Sequence, residues 1–241
     1  MALTRVDRRS VPDEVFDQLL ADILTGELAP GSTLPAERQL ADVLGVSRPA
    51  VREALQRLAQ AGLIHVRQGD ATTVRDFRRS AGPELLPRML LRDGAPDLDL
   101  VRDVLETRLA LVPDVARRCA GRRTAQDLAR MEDTVARMRA HRSDLAALQR
   151  LAHEFSTALV DGSHNLVYRL LFNALEAAYL PAMEVLTEVM AAEVSEIDGY
   201  AALTAAVAEQ DGARAAAVAR RLIGLGTRDA LAALDALRPR D

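Results

Sequence analysis

A mainly α fold in two parts is predicted by three observations. Residues 34–74, LPAERQLADVLGVSRPAVREALQRLAQAGLIHVRQGDATTV, hold two short helical patterns followed by two runs of strand-forming residues. Beyond Pro83 the apolar residues recur at helical spacing as far as residue 236. Between these regions, Arg75 to Gly82 turns polar and small, as a linker does. Together they predict an N-terminal winged helix-turn-helix with a small β-wing over residues 1–78 and a linker over 79–83. An all-α antiparallel helical bundle is then predicted over 84–241.

The elements follow in order. Val11 to Leu28 reads as a first helix, with Ser10 as its cap, Pro12 where a missing N–H does no harm, and an apolar stripe of Val15, Leu19, Ile23 and Leu24. Pro30-Gly31 breaks the pattern. A short helix runs from Pro35 to Leu44, with Leu40 and Val43 facing inward. Gly45 closes it, because glycine reaches positive φ without steric cost. Ser47 can cap the next helix, which buries Val51, Leu55 and Leu58 and stops at Gly62. Arg48 and Arg52 lie off that buried stripe and project outward. Leu63–Val66 and Thr72–Val74 read as two strands of a wing around Gln68-Gly69-Asp70-Ala71, the one β signal in the chain. Helices are expected over 84–92, 97–120, 124–141, 143–161, 164–180, 181–194, 197–208 and 211–236, punctuated by Gly121, Gly162 and Gly212.

Composition narrows the function. The chain of 241 residues has 49% hydrophobic and 27% charged residues, fitting a globular protein. It lacks a run of 18 apolar residues and an apolar leader, so no membrane span and a cytoplasmic location are expected. A single cysteine, Cys119, excludes an internal disulfide and a cysteine-based zinc site. It reads as a small, semi-buried helix residue. Every basic residue is arginine, and the net charge is −4. Residues 1–78 carry ten arginines against eleven acids, so binding to a polyanion must come from a few placed arginines. With four phenylalanines, three tyrosines and no tryptophan, base stacking on single strands or RNA is not expected.

The ordered set Leu34-Pro35-Ala36-Glu37-Arg38, Leu40-Ala41, Leu44-Gly45-Val46-Ser47-Arg48 and Val51-Arg52-Glu53-Ala54-Leu55 resembles the winged helix of the GntR regulator family. The helical remainder resembles the FadR branch of that family, its fatty-acid-responsive members most of all. The stretches that carry this are Gly69–Val74 with Phe77, Ser80 and Gly82, and Asn165–Asn173 with Tyr179. The resemblance implies that Arg48 and Arg52 read base edges, that Arg38 and Ser47 contact phosphate or edges, and that Gln68 and Gly69 approach the minor groove. Ala71 stands where the family often has a second wing glycine. Outside such a motif, each arginine would read as a solvated surface side chain.

Many members of that branch hold a metal through one aspartate and three histidines. The matching positions here are Ala152, Ser156, Tyr200 and Leu222, so no metal and no cofactor are expected. His153 and His164, eleven apart with Glu154 and Asp161 nearby, read as surface residues divided by a helix break at Gly162-Ser163. Without a metal to anchor a small acid, the bundle points to an apolar or acyl effector, since each buried CH₂ contributes roughly 0.8 kcal/mol. The candidate effector residues are Arg108, Ser156, Asn173, Tyr179, Tyr200, Gly224, Gly226 and Thr227. The resemblance places Arg108 where the branch has a cavity-facing arginine, able to hold an acidic end. Gly224 and Gly226, each costing about 1 kcal/mol mid-helix relative to alanine, suggest close packing, a kink or a ligand near the backbone. Tyr179 and Tyr200 can equally be core aromatics.

The expectation is therefore a non-enzymatic, homodimeric transcription regulator that binds a pseudo-palindromic operator in double-stranded DNA and responds to a fatty acyl-CoA or similar lipid-derived effector. Two alternatives stand beside it. One is a regulator answering to a small organic acid, and the other is a helical adaptor using the winged helix for protein contact.

Overall fold

The protein structure is a computed structural model that describes residues 10–66, 71–92, 95–180 and 187–237. It divides into two units, residues 1–88 and 89–241.

In the first unit, α1 (Val11–Thr25) begins at Ser10, whose hydroxyl accepts from the Asp13 N–H. It buries Val15, Phe16, Leu19, Leu20 and Ile23 and turns at Gly26, earlier than the expected Leu28. α2 (Glu37–Leu44) buries Leu40 and Ala41. Val43, expected inward, is 75% exposed. At 100° per residue, Ala41 and Leu44 lie to one side of Leu40 and Val43 to the other, and the core meets the 41–44 side. Gly45 follows with φ +65° and returns its N–H to the Ala41 carbonyl. α3 (Arg48–Gln60) is capped by Ser47 and buries Val51, Leu55 and Leu58 as expected, together with Ala50 and Ala54.

The wing pairs β1 (Ile64–His65) with β2 (Thr73–Val74) in antiparallel register, Ile64 opposite Val74. Both strands are shorter than predicted. Backbone from Gly31 to Leu34 adds a third rung, through Gly31 N–H to Val74 O, Val74 N–H to Ser32 O and Leu34 N–H to Thr72 O. The predicted linker is ordered. α4 (Phe77–Ser80) is capped by Asp76, and the Ser80 hydroxyl donates to Gly62 O at 2.7 Å. Gly62 has φ +74°, and a Cβ there would fall 2.2 Å from Ser80 O, so glycine is required twice over. A 3₁₀ turn (Pro83–Leu85) and α5 (Leu86–Met89) replace most of the expected helix 84–92. Leu85 is buried, and the Arg88 guanidinium lies 4.5 Å from the Phe16 ring centroid. The first unit thus extends past the boundary at residue 78 read from composition.

The second unit opens on a hairpin that the sequence reading lacks, β3 (Leu91–Arg92) with β4 (Ala95–Pro96). The helices follow as α6 (Leu98–Arg122), α7 (Ala125–Ala140), α8 (Leu145–Gly162), α9 (Leu166–Tyr179), α10 (Ala191–Val194), α11 (Ile197–Ala208) and α12 (Gly212–Leu237). Residues 181–186 of the expected helix 181–194 lie outside the described residues, and 187–190 form a turn before α10. Gly121, expected as a break, falls inside α6. The core is built by α6 on α12, α7 on α8, and α11 on both α12 and α7. Phe155, Met131, Met138, Leu148 and Leu203 are among its largest enclosed side chains. Cys119 is fully buried, and burial first, then the Asp127 charge, pushes its thiol up to about 12, leaving an inert packing residue.

α7 starts with a capping box. The Asp127 carboxylate accepts from the Thr124 N–H and hydroxyl, and the Thr124 hydroxyl accepts from the Asp127 N–H. Burial would raise the Asp127 pKa, but the Thr124 N–H and hydroxyl, His164 and Arg130 outweigh it and hold it down to about 2.

Candidate functional site

Two sites emerge, one in each unit. In the first, the α3 cap places two arginines in the helix's opening turns. Ser47 accepts from the Ala50 N–H at 3.4 Å, which fixes the start of α3 and leaves Arg48 at its first turn. Ser47, Arg48 and Arg52 are exposed, as is Arg38 on α2. The buried stripe at 51, 54, 55 and 58 faces away from them. Such a protruding, cationic helix face fits a DNA major groove. Gln68 and Gly69, the expected wing-tip contacts, lie outside the described residues.

Arg52 is not a lone cation. Its Nε donates to both Glu37 carboxylate oxygens at 3.2 and 3.1 Å, and its Nη2 donates to Oε2 at 2.8 Å. Arg52 above all, with help from Arg48, holds the Glu37 carboxyl below the usual carboxylate range, and the Glu37 contact raises Arg52 in turn. A guanidinium gripped along its Nε–Nη2 edge still presents its outer Nη1–Nη2 edge, the fork that can bridge guanine O6 and N7. Glu37 thus fixes the direction in which Arg52 points. Sequence reading missed this role. Glu37 and Arg52 stand 15 residues apart on different helices, and no periodicity links them.

In the bundle, three of the four positions where the resemblance would place metal ligands lie in the packed core, and the fourth, Ser156, is half-buried. Ala152, Tyr200 and Leu222 belong to one buried apolar cluster, and the Ser156 hydroxyl donates to Ala152 O at 3.0 Å. The Tyr200 ring packs edge-on against Phe155, with centroids 5.0 Å apart. Gly199 lets α11 close on α12, since a Cβ there would meet Leu222 Cδ1 at 2.9 Å. Apolar side chains filling this space do not fit a bound metal ion. Among the described residues, no group of three or more His, Cys, Asp or Glu is placed to hold one. The histidines separate. His153 Nε2 meets Glu176 at 2.8 Å, and His164 Nε2 meets Asp127 at 2.9 Å.

The effector candidates are brought together only in part. Arg108 on α6 forms a forked pair with Glu193 on α10, Nη1 to Oε2 at 2.8 Å and Nη2 to Oε1. The Glu193 side chain is 3% exposed and that of Arg108 25%. Gly226 on α12 makes room for it, because a Cβ there would lie 2.5 Å from Glu193 Oε2 and 2.8 Å from Met190 Cε. Close packing, one of the expectations for this glycine, is observed here. The next residue, Thr227, is 2% exposed, and its hydroxyl has no hydrogen-bond partner among the described residues. Gly224 is also buried, but a Cβ there would meet no side chain closer than Arg228 Nη1, at 3.8 Å. Asn173 is not drawn into this cluster. It is exposed on α9, where its Oδ1 accepts from Arg169 Nε at 2.7 Å. The Tyr179 side chain lies outside the described residues. Glu193 was not foreseen, since it stands 85 residues from Arg108.

Comparison with known proteins assigns each part of the chain to a family. Residues 12–74 match the family model of bacterial regulatory proteins of the gntR family, and residues 103–225 match the FCD domain. The chain is 47% identical over 234 residues to the HTH-type transcriptional regulator Mce2R of Mycobacterium tuberculosis, covering 97% of each. It is 36% identical over 95 residues to a fatty acid metabolism regulator protein of Vibrio cholerae, covering 39% of this chain and 34% of that protein. Among solved structures, a protein described as Lar, which controls the Listeria monocytogenes agr system, superposes with a TM-score of 0.57 at 18% identity, covering 97% of this chain and all of that one. At that identity the likeness concerns the fold. Among the described residues no helix is long and apolar enough to cross a membrane.

Proposed function

The chain belongs to the GntR family of bacterial regulatory proteins and carries an FCD domain, and on that premise we propose that it is a homodimeric, ligand-responsive regulator whose effector is a fatty acyl-CoA or a fatty-acid-like acid. Its winged helix reads one half of a pseudo-palindromic operator, with Arg48 and Arg52 on base edges and Arg38 and Ser47 on the backbone. The narrower likeness to fatty-acid-responsive members supports the effector class, together with one observation in the bundle. A cation that already grips a carboxylate, Arg108 with Glu193, stands in a unit where Ala152, Tyr200 and Leu222 fill the core at three of the four positions matched to metal ligands.

An acidic end arriving at Arg108 competes with Glu193. Displaced, Glu193 loosens α10 from α8 and α12, and an acyl chain replaces core contacts at roughly 0.8 kcal/mol per buried CH₂. The operator affinity changes by no more than the difference in effector affinity between the two bundle shapes. A second reading, a small organic acid on Arg108 without metal, is favoured by the same forked pair, because a short carboxylate satisfies it as well as a long one. Thermal-shift titration with acyl-CoAs of increasing chain length and with short carboxylates separates the two. At one fixed ligand concentration, stabilisation that grows with chain length is expected for the first, reaching about 2.7 kcal/mol for a ligand at a hundred times its Kd. Stabilisation by short acids alone would replace it with the second.

A further inference from the structure

Arg57 and Arg88 belong to different elements of the first unit and meet at one place on α1. Arg57 lies in the last turn of α3, the helix that opens with Arg48. Arg88 lies in α5, and the chain passes from it to Met89, the first residue of the second unit. Both guanidiniums pack on the ring of Phe16, 5.3 and 4.5 Å from its centroid, and that ring is buried. Both also turn to one carboxylate oxygen. Asp13 Oδ1 accepts from Arg57 Nη2 at 2.6 Å and has Arg88 Nη2 at 3.6 Å. Arg88 Nη1 donates to Asp17, one turn further along α1, and the Ser10 hydroxyl donates to Asp13 Oδ2 at 2.6 Å.

Two like charges drawn to one oxygen stay together only while the anion stands between them. Asp13 is thus the group on which both contacts depend. Stability alone does not account for the arrangement, because all three side chains are about a third exposed, where ion pairs contribute little. α1 already packs on α3 through its buried face. What the arrangement adds is a connection to α5. That helix has no buried side chain of its own, so Arg88 and the preceding Leu85 hold this stretch in place. A hollow of about 280 Å³ beside Phe16, Arg57 and Arg88 leaves these groups room to shift.

We propose that Asp13 relays the position of α5 to the reading helix, so that a change in the second unit that draws Arg88 away alters how α3 sits in the groove. The proposal rests on the ligand-responsive reading above and adds the route by which a response reaches the DNA-reading helix. With Arg88 drawn off, Asp13 keeps Arg57 alone, and α3 is tied to α1 but no longer to the segment that leads to the bundle. Arg57 follows Arg52 by five residues and Arg48 by nine. Those steps are about 8 and 14 Å along one helix, so a tilt set at Arg57 moves both reading side chains. Asp13 and Arg88 act here as positioning residues, through Arg57.

The test uses the full chain and the ratio of its affinities for operator and scrambled duplexes, which cancels the bare loss of a positive charge. In the ligand-free protein, Arg88→Gln is expected to lower this ratio about threefold to tenfold, the size of effect found along coupling routes. On an Asp13→Asn background the same substitution is expected to change it less than about twofold, because the connection is already cut. A ratio unchanged by Arg88→Gln, or two effects that multiply in full, overturns the relay. Should Asp13→Asn fail to fold, Arg57→Gln and Arg88→Gln form the same cycle. Hexadecanoyl-CoA is the probe of the response. Where it shifts the operator affinity of the wild type, Asp13→Asn is expected to keep the thermal shift on binding it and to lose most of the response, and a full response overturns the relay. Unchanged operator affinity of the wild type with hexadecanoyl-CoA counts against the effector class proposed above, and the ligand-free cycle still decides the relay.

Discussion

The two arginine–glutamate pairs use the same chemistry to different ends. Arg52 and Glu37 are 56% and 33% exposed at their side chains, and Arg108 and Glu193 are 25% and 3% exposed. In water an ion pair contributes little to stability, so the outer pair matters for the direction it gives a guanidinium. Out of water, a charge is costly without its partner, so the inner pair ties two helices together. Exposure decides whether such a pair aims or locks.

The sharpest break in that contrast is removal of the outward cations. Arg48→Ala with Arg52→Ala should cost about 1–3 kcal/mol of base discrimination per arginine, measured by fluorescence anisotropy on operator and scrambled duplexes. Thermal stability should stay near wild type. Unchanged operator binding would favour the adaptor reading. Next in size, Glu193→Ala should destabilise the protein by about 1–3 kcal/mol in thermal unfolding, because the half-buried Arg108 loses its partner. Arg108→Met combined with Glu193→Met should cost less than half of that. Equal losses would mean that packing against Gly226, not charge, dominates the site.

A smaller effect separates buried from exposed carboxylates by pH. Asp127 has a folded pKa held down from 3.8 to about 2, so its contribution is complete above about pH 4 and disappears as pH falls towards 2. Unfolding followed between pH 5 and 2 should show a loss on the order of 1–2 kcal/mol from this group, absent in Asp127→Asn. Asp13, lowered to about 2 by Ser10 first and then by Arg57, loses its contribution over the same range in the first unit. The smallest change in stability should come from Glu37→Ala, below about 1 kcal/mol. Operator discrimination should nevertheless fall while affinity for scrambled DNA is retained or rises with the removed negative charge. Discrimination equal to wild type would show that Arg52 needs no guide.

Much of the reading unit was legible because its signals are local. Ser10, Ser47 and Gly45 act within a turn of themselves, and the stripe at Val51, Leu55 and Leu58 follows from helical spacing alone. Most bundle helices were legible for the same reason. Val43 was misplaced because spacing identifies a face but not the side from which the core arrives. The linker was misread because Ser80 looks merely polar until the Gly62 carbonyl is beside it.

The sequence by itself determined the helix order, the capped reading helix, the outward course of Arg48 and Arg52, and the absence of side chains able to hold a metal at Ala152 and Leu222. These depend on residue chemistry and on contacts within one turn. The tertiary structure decided that Glu37 aims Arg52, that Glu193 occupies Arg108 against Gly226, and that Asn173 stands outside the core. Each depends on which distant segments pack together, and packing is set by the whole core, not by the spacing of any one helix.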